Sequence, residues 1–523
     1  MLDPTRPRRV IPRWRYSWIA ASTPEARARR VNRAAIDDTR LNGELDTKLQ
    51  EFASNKSIPI AAELMFVATS AGSLEIAREA AQAIVEKCDR IGDTQLVKFA
   101  SKILDGASAE QITSPGSDFV KRARKVLSID YSNPVLLMDV ALALTSKGND
   151  RAAFRYVRSA VAMAPASRFI VRSAARYFLH VGDPERAHSI LRRSPLFAGD
   201  PWIQASEIAV ESVRNRTSAI AKKSLRSLLD KRQIATDQTE LASAIATIEH
   251  YSGSKKNAKR LFNLALSSPN DNSLAQAESL ANLLRLVVDQ AALSTPLSFE
   301  ANSHNAYRHL QMEDALASAK RWELDEPFAS RPVEFMTFLY SLLGRYQESA
   351  TAAERGIELD GNKSLSPRLN ILFANIKCGQ IAGSVHDLQQ IARLPGAKDH
   401  ATHILANAGA LAYATHDFDL ARDFYRRAVS AAKVRGERET ASRAHAFFAR
   451  SAAESHDPQL DSILKDAIEL VEQVPSPAAT YVLQQLVAKP ERYRLQQSAE
   501  ARIAKREWHW DALANTLSLL EPK

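Results

Sequence analysis

Three asparagines carry the side-chain chemistry best suited to holding another chain. Asn282, Asn370 and Asn407 stand in SLANLLRL, SPRLNILFA and ILANAGALA, three similar apolar helical settings. A primary amide both donates and accepts, so amides at equivalent places can hold an extended backbone while tolerating many sequences. The same amides would serve equally well as solvated helix-surface groups. Arg172 and Arg176 lie four residues apart and share one helical face. They suit an acidic segment or a C-terminal carboxylate, or an internal partner such as Glu207 of the next helix.

Residue types that do catalysis are present but not assembled. Gly356 to Ser364, GIELDGNKS, has the glycines of a phosphate-binding loop, but Asn362 separates Gly361 from Lys363 and no strand precedes it. His400 and His403 lack the glutamate and spacing of a zinc-protease helix, with His416 a turn further on. His304, His309 and His386 are scattered, and no strand-to-helix elbow presents a serine nucleophile. Cys88 and Cys378 have no Cys or His at metal spacing and read as small buried hydrophobes. The expectation is a chain that is not an enzyme, with no cofactor and no metal.

The charge is uneven. Residues 1–33 hold nine arginines against Asp3 and Glu25, a balance of +7 within the total of +10. In this arm Arg8, Arg9, Arg13 and Arg15 mix with Trp14, Tyr16 and Trp18, among prolines that favour extended chain. Three readings stand: the arm lies across the rest of the protein with its tryptophans capping the first repeat, it binds a protein partner, or its arginines and aromatics contact nucleic acid.

The elements that would position these groups are helices. NPVLLMDVALALTSKGNDRAAFRYVRSAVAMAP is followed, 34 residues on, by SRFIVRSAARYFLHVGDPERAHSILRRSPLFAG. Gly148 falls on Gly182, Leu144 on Phe178, Ala153 on Ala187 and Val157 on Leu191. A 34-residue self-match made of two helical periods around a Gly-containing turn resembles the tetratricopeptide repeat (TPR) family. Leu137 and Val171 replace the aromatic usual at the first large site. The resemblance implies that first helices line a concave surface for protein or peptide partners. The Lys and Asn carboxylate clamp of chaperone-binding members is not intact here.

The small second-helix site runs Ala77, Gln111, Ala153, Ala187, Ala221, Ala258, Ala315, Ser349, Ser384 and Ala421, mostly within three residues of a 34-residue period. A surplus of eight falls near residues 113–117. The interval of 57 before Ala315 suggests a loop with a short helix, or a hinge, at 285–305. Abundant Ala, 17 Gly and the lack of alternating apolar runs predict an all-α chain. The expected fold is an α-solenoid, a right-handed superhelix of about ten or eleven TPR-like helix-turn-helix repeats. Its parts would be an arm and first helix (1–45), an array (46–284), the insertion (285–305), a second array (306–474) and capping helices (475–523) in which Trp508 or Trp510 seals the core. With no long apolar run and no secretory signal, the expected function is a cytoplasmic, non-catalytic scaffold or adaptor for a protein or peptide, as a subunit or regulator of a larger assembly. The alternative is a nucleic-acid-associated component using the arm.

Overall fold

One repeat shows how the pairs are made. Pro134–Thr145 is apolar apart from Asp139 and Thr145 and is buried along its whole length. Its partner Asp150–Met163 buries only Ala153, Val157 and Ala160. That spacing of four and three residues is one face of a helix. In this pair the first helix is therefore sandwiched and the second is largely in solvent. The caps are local: Asn133 Oδ1 accepts from Leu136 N at 3.0 Å, with Pro134 in the first turn. At the turn, Gly148 takes φ +72°, and the Asn149 N–H reaches back to the Leu144 carbonyl at 2.9 Å. Gly182 does the same at φ +80°.

The structure of the chain, a computed structural model, describes residues 11–14, 37–71, 73–88, 95–105, 118–129, 131–216, 218, 220, 235–267, 269–295, 297–360, 365–488, 517–518 and 520. Among these residues there is no strand. The chain divides into two compact units.

The N-terminal unit is Pro7–His304 with Arg321–Phe328. Its helices are α1 (Asp37–Ser54), α2 (Ile58–Ala71), α3 (Leu74–Cys88), α4 (Gln95–Asp105), α5 (Phe119–Leu127), α6 (Pro134–Thr145), α7 (Asp150–Met163), α8 (Arg168–His180), α9 (Pro184–Arg193), α10 (Pro201–Val213), α11 (Ala235–Tyr251), α12 (Lys255–Ala265), α13 (Asp271–Leu284) and α14 (Gln290–Leu293). Two more, α15 (Phe299–Arg308) and α16 (Met312–Asp325), contribute to both units.

The C-terminal unit is Met1–Arg6, Asn305–Lys320 and Ala329–Lys523. It contains α17 (Ser330–Leu342), α18 (Tyr346–Asp360), α19 (Leu365–Lys377), α20 (Ile381–Arg393), α21 (Ala401–Ala414), α22 (Phe418–Val434), α23 (Arg438–Glu454), α24 (Leu460–Gln473) and α25 (Pro477–Ala488).

The small site explains the repeat. Ala77, Ala153, Ala187, Ala258, Ala315, Ser349, Ser384 and Ala421 are all essentially solvent-free. A small side chain there lets the two helices of a pair close on each other. Gln111 and Ala221 lie outside the described residues, as do 113–117, Trp508 and Trp510. The interval of 57 has a structural reason. It is one period of 34 plus 23, and the short piece is a pair whose second helix, α14, has shrunk to four residues. Ala292 and Leu293 of α14 still pack on Leu274 and Ala275 of α13 and on Ala301 of α15.

One local expectation is corrected. Cys378 is exposed, not buried, because it stands past the last turn of α19, beside Gly379. The Cys88 side chain lies outside the described residues. The glycine-rich stretch is ordinary helix as far as Asp360, at the end of α18.

Candidate partner-binding cleft

Four first helices of the C-terminal unit, α17, α19, α21 and α23, turn one side each toward a common cleft. Phe338 and Ser341 come from α17, Leu369, Asn370 and Phe373 from α19, Thr402, His403, Ala406 and Asn407 from α21, and Thr440, Arg443, Ala444 and Phe447 from α23. Tyr425 of the second helix α22 also lines it. The cleft offers about 80 Å³, several times what one water molecule needs.

Its apolar walls hold a few polar atoms with unmet needs. The Asn370 amide nitrogen, the Thr402 hydroxyl and the Arg443 Nε are buried and have no hydrogen-bond partner. Arg443 is 9% exposed, and its Nη2 donates to Thr440 Oγ1 at 3.0 Å. No carboxylate among the described residues lies within ion-pair distance of it. A buried guanidinium without an anion and buried donors without acceptors are both costly. His403 adds no positive charge, since burial first, with nearby cations including Arg443, holds it well below its ordinary range. The unmet groups are chiefly donors, so a complementary ligand presents carbonyl or carboxylate oxygens.

Asn407 is differently employed. Its Nδ2 donates to the Leu369 carbonyl at 3.1 Å, tying α21 to α19. Behind it, Tyr425 stacks on Phe448 at 5.0 Å and shares a hydrogen bond with Ser451 at 2.9 Å. Gly409 makes room for that ring: a Cβ there would stand 2.5 Å from Tyr425 Cδ2. Gly409→Ala is expected to cost about 1–3 kcal/mol through overpacking and to push Tyr425 into the cleft. Comparing its unfolding midpoint with that of Gly383→Ala, where an added Cβ meets nothing, checks this.

The cleft rests on a buried charge lattice. The Lys377 ammonium donates to Glu454, and to Ser451 Oγ at 3.2 Å. Arg450 donates from Nε to the other Glu454 oxygen at 3.1 Å, from Nη1 to the Ser341 carbonyl at 3.1 Å and from Nη2 to the Tyr346 hydroxyl at 2.7 Å. Glu454 and Arg450 together thus join α23 to α17, α18 and α19. A second knot holds Asp457 between the Tyr413 hydroxyl and Arg422, each at 2.7 Å.

Of the residues singled out by sequence, Asn370 and Asn407 meet in this cleft. The Asn282 backbone is in α13, and its side chain lies outside the described residues. Arg172 is no surface for an acidic partner, because it is 1% exposed, bound to Glu240 at 2.6 Å and set over Trp202 at 4.9 Å. Its partner is Glu240, not Glu207, which accepts from Ser218 at 2.5 Å. Arg176 faces Glu326 at 3.8 Å and Phe328 at 4.6 Å. Arg13 and Trp14 are buried in the N-terminal unit, among Asp271, Glu300 and Glu326 and against Tyr177 and Phe328. They are neither a cap on the first repeat nor free to meet phosphates. Arg8, Arg9, Arg15 and Trp18 lie outside the described residues. Thr402, Arg443 and the cleft's aromatic lining had no sequence signal, because a lone Thr or Arg on a helix does not reveal what it faces.

His188, Glu207 and Glu211 bring their ligand atoms within 4.8 Å of one another. Arg192 reaches Glu207 at 4.0 Å and Arg214 binds Glu211, so the cluster is an ion-pair network whose negative charge is already met.

No family model matches the chain, and no curated protein matches it. Similar solved structures include Naa15/Naa10 bound to HypK-THB, at 12% identity over 92% of this chain and 88% of that one, TM-score 0.22. The APC/C hetero-tetramer Cut9-Hcn1 matches at 11% identity over 86% and 96%, TM-score 0.30. The P58(IPK) TPR domain matches at 13% over 73% and 98%, TM-score 0.19. The reading of TPR-like helix pairs stands on this chain's own 34-residue period and its buried small sites.

Proposed function

We propose that this protein is a non-catalytic, cytoplasmic scaffold or adaptor whose C-terminal unit holds an extended segment of a protein partner, as a subunit or regulator of a larger assembly. The observation that carries this reading is the set of buried, unpartnered polar atoms of Asn370, Thr402 and Arg443 in one apolar cleft. A peptide backbone supplies the missing acceptors. An acidic side chain supplies the anion for Arg443, while Phe338, Phe373 and Phe447 receive the apolar parts of the segment. No helix among the described residues is long and apolar enough to cross a membrane.

Partners cross-linked to the protein in its own cells provide the ligand for the test. Asn370→Ala and Arg443→Gln should each weaken binding of that partner about tenfold or more, as expected for losing about 1.4 kcal/mol or more per contact. Asn407→Ala serves as a stability control, since it also cuts the tie to Leu369. Undiminished binding by the double variant Asn370→Ala/Arg443→Gln removes the cleft from the function.

A further inference from the structure

The other convergence of side chains is in the N-terminal unit, around residues 11–14, a segment with neither helix nor strand. Arg13 places its guanidinium among three carboxylates. Nε donates to Asp271 Oδ2 at 3.1 Å, Nη1 to Glu326 Oε2 at 2.5 Å and Nη2 to Glu300 Oε2 at 2.5 Å. All four side chains are 6% exposed or less. Trp14 stands edge-on to Tyr177 at 5.9 Å and to Phe328 at 5.4 Å. Arg176 lies over the same Phe328 ring.

Everything that forms this cage comes from far along the chain. Asp271 opens α13, Glu300 is in the first turn of α15 and Glu326 follows α16, at separations of 258, 287 and 313 residues from Arg13. The cage is a property of the helical array, and residues 11–14 are its occupant. Their hold is by side chains. Among the described residues the backbone of the segment is fixed by one hydrogen bond, from Asn272 Nδ2 to the Ile11 carbonyl at 3.0 Å. The Trp14 indole N–H is buried without a partner. Trp14 joins the buried core of the unit and Arg13 its ion pairs, so two adjacent side chains anchor this extended segment, as anchors do in peptide recognition. A guanidinium presents five donors in a rigid plane and can serve three carboxylates at once, which a lysine ammonium cannot do in the same geometry. Without Arg13 the cage would hold three buried carboxylates beside one another with Arg176 at 3.8 Å from Glu326, so it favours exchange of one cation for another over vacancy.

We infer that this cage is a recognition site for an extended segment carrying arginine followed by an aromatic residue. The chain's own Arg13-Trp14 fills it in cis, and a partner protein's segment of the same chemistry takes the same place in trans.

The probe is the peptide RVIPRWRY, residues 9–16, added to the full-length double variant Arg13→Ala/Trp14→Ala. The peptide should raise the variant's Tm and bind it at least tenfold more tightly than it binds the wild type, whose own segment competes. Alanine at both anchor positions of the peptide should abolish the effect, and lysine in place of arginine should remove most of it. If the double variant does not fold, the wild type with a protease site inserted between Ser22 and Thr23 takes its place, and labelled peptide should enter the cage after cleavage. No binding to a folded double variant, or no exchange after cleavage, overturns the proposal and leaves residues 11–14 as a fixed part of the fold. Wild-type dimers that the double variant does not form would assign the site to a second copy and overturn a separate partner.

Discussion

Arg13→Ala is expected to lower the stability of the N-terminal unit by about 3–5 kcal/mol, because removing one side of a buried ion pair strands the other. Here three carboxylates, Asp271, Glu300 and Glu326, lose the cation they share, and Glu326 keeps Arg176 at 3.8 Å. Denaturant unfolding at pH 7 measures the loss. Its pH dependence identifies the cause. Burial alone would push Glu326 up, but Arg13 and then Arg176 hold it down to about 2. A carboxylate whose folded pKa lies below its unfolded value of about 4.3 stabilises at neutral pH, and the contribution is lost as pH falls from there through about 2. Without Arg13 most of that depression disappears, so the gap between variant and wild type should narrow between pH 7 and pH 3. A gap that stays constant over that range would point to lost packing around Trp14 instead of to charge.

Glu454→Ala should cost the C-terminal unit a similar amount, about 3–5 kcal/mol, because Lys377 and Arg450 are both buried on that one carboxylate. Burial already lowers the Lys377 pKa, against the opposing pull of Glu454. Removing Glu454 lowers it further. A lysine with a folded pKa below its unfolded value binds fewer protons in the folded state, so stability rises with pH as it becomes neutral. The deficit of the variant should therefore shrink between pH 7 and pH 9.5, the reverse of the trend at Arg13. Glu454→Gln, which keeps an acceptor but no charge, should fall between variant and wild type. Equal unfolding midpoints for wild type and Glu454→Ala at pH 7 would mean the lattice adds nothing to stability. The variant should also bind partner less well, since Glu454 shares α23 with Arg443 and Phe447.

The repeats are legible in the sequence because their physics is local. Ala153, Val157 and Ala160 mark one buried face, Gly148 marks the left-handed turn, and both recur 34 residues later. Asn370 and Asn407 could be picked out as equivalent positions for the same reason. What they do there was not legible: Asn407 spends its amide on the Leu369 carbonyl, while the Asn370 nitrogen is left without a partner. Arg443 and Arg450 are seven residues apart in one helix, yet one has no carboxylate among the described residues within ion-pair distance and the other is bound to Glu454 and Tyr346. No local pattern separates them. The cage around Arg13 is the extreme case, since its nearest carboxylate in sequence is 258 residues away. The four-residue α14 was legible as a short helix in a loop but not as the second helix of a pair, because a repeat with a collapsed helix looks, by spacing alone, like an insertion.

That distance also sets an order of events during synthesis. Arg13 and Trp14 are made more than 300 residues before Glu326 and Phe328. At about 5–20 residues per second, the segment waits roughly 16–60 s for the last wall of its cage. Residues 305–320, which belong to the C-terminal unit, are made before 321–328 complete the N-terminal one. The first half of the chain is thus not finished when its own helices have been translated. A ribosome must read past Phe328 before Arg13 and Trp14 have somewhere to go.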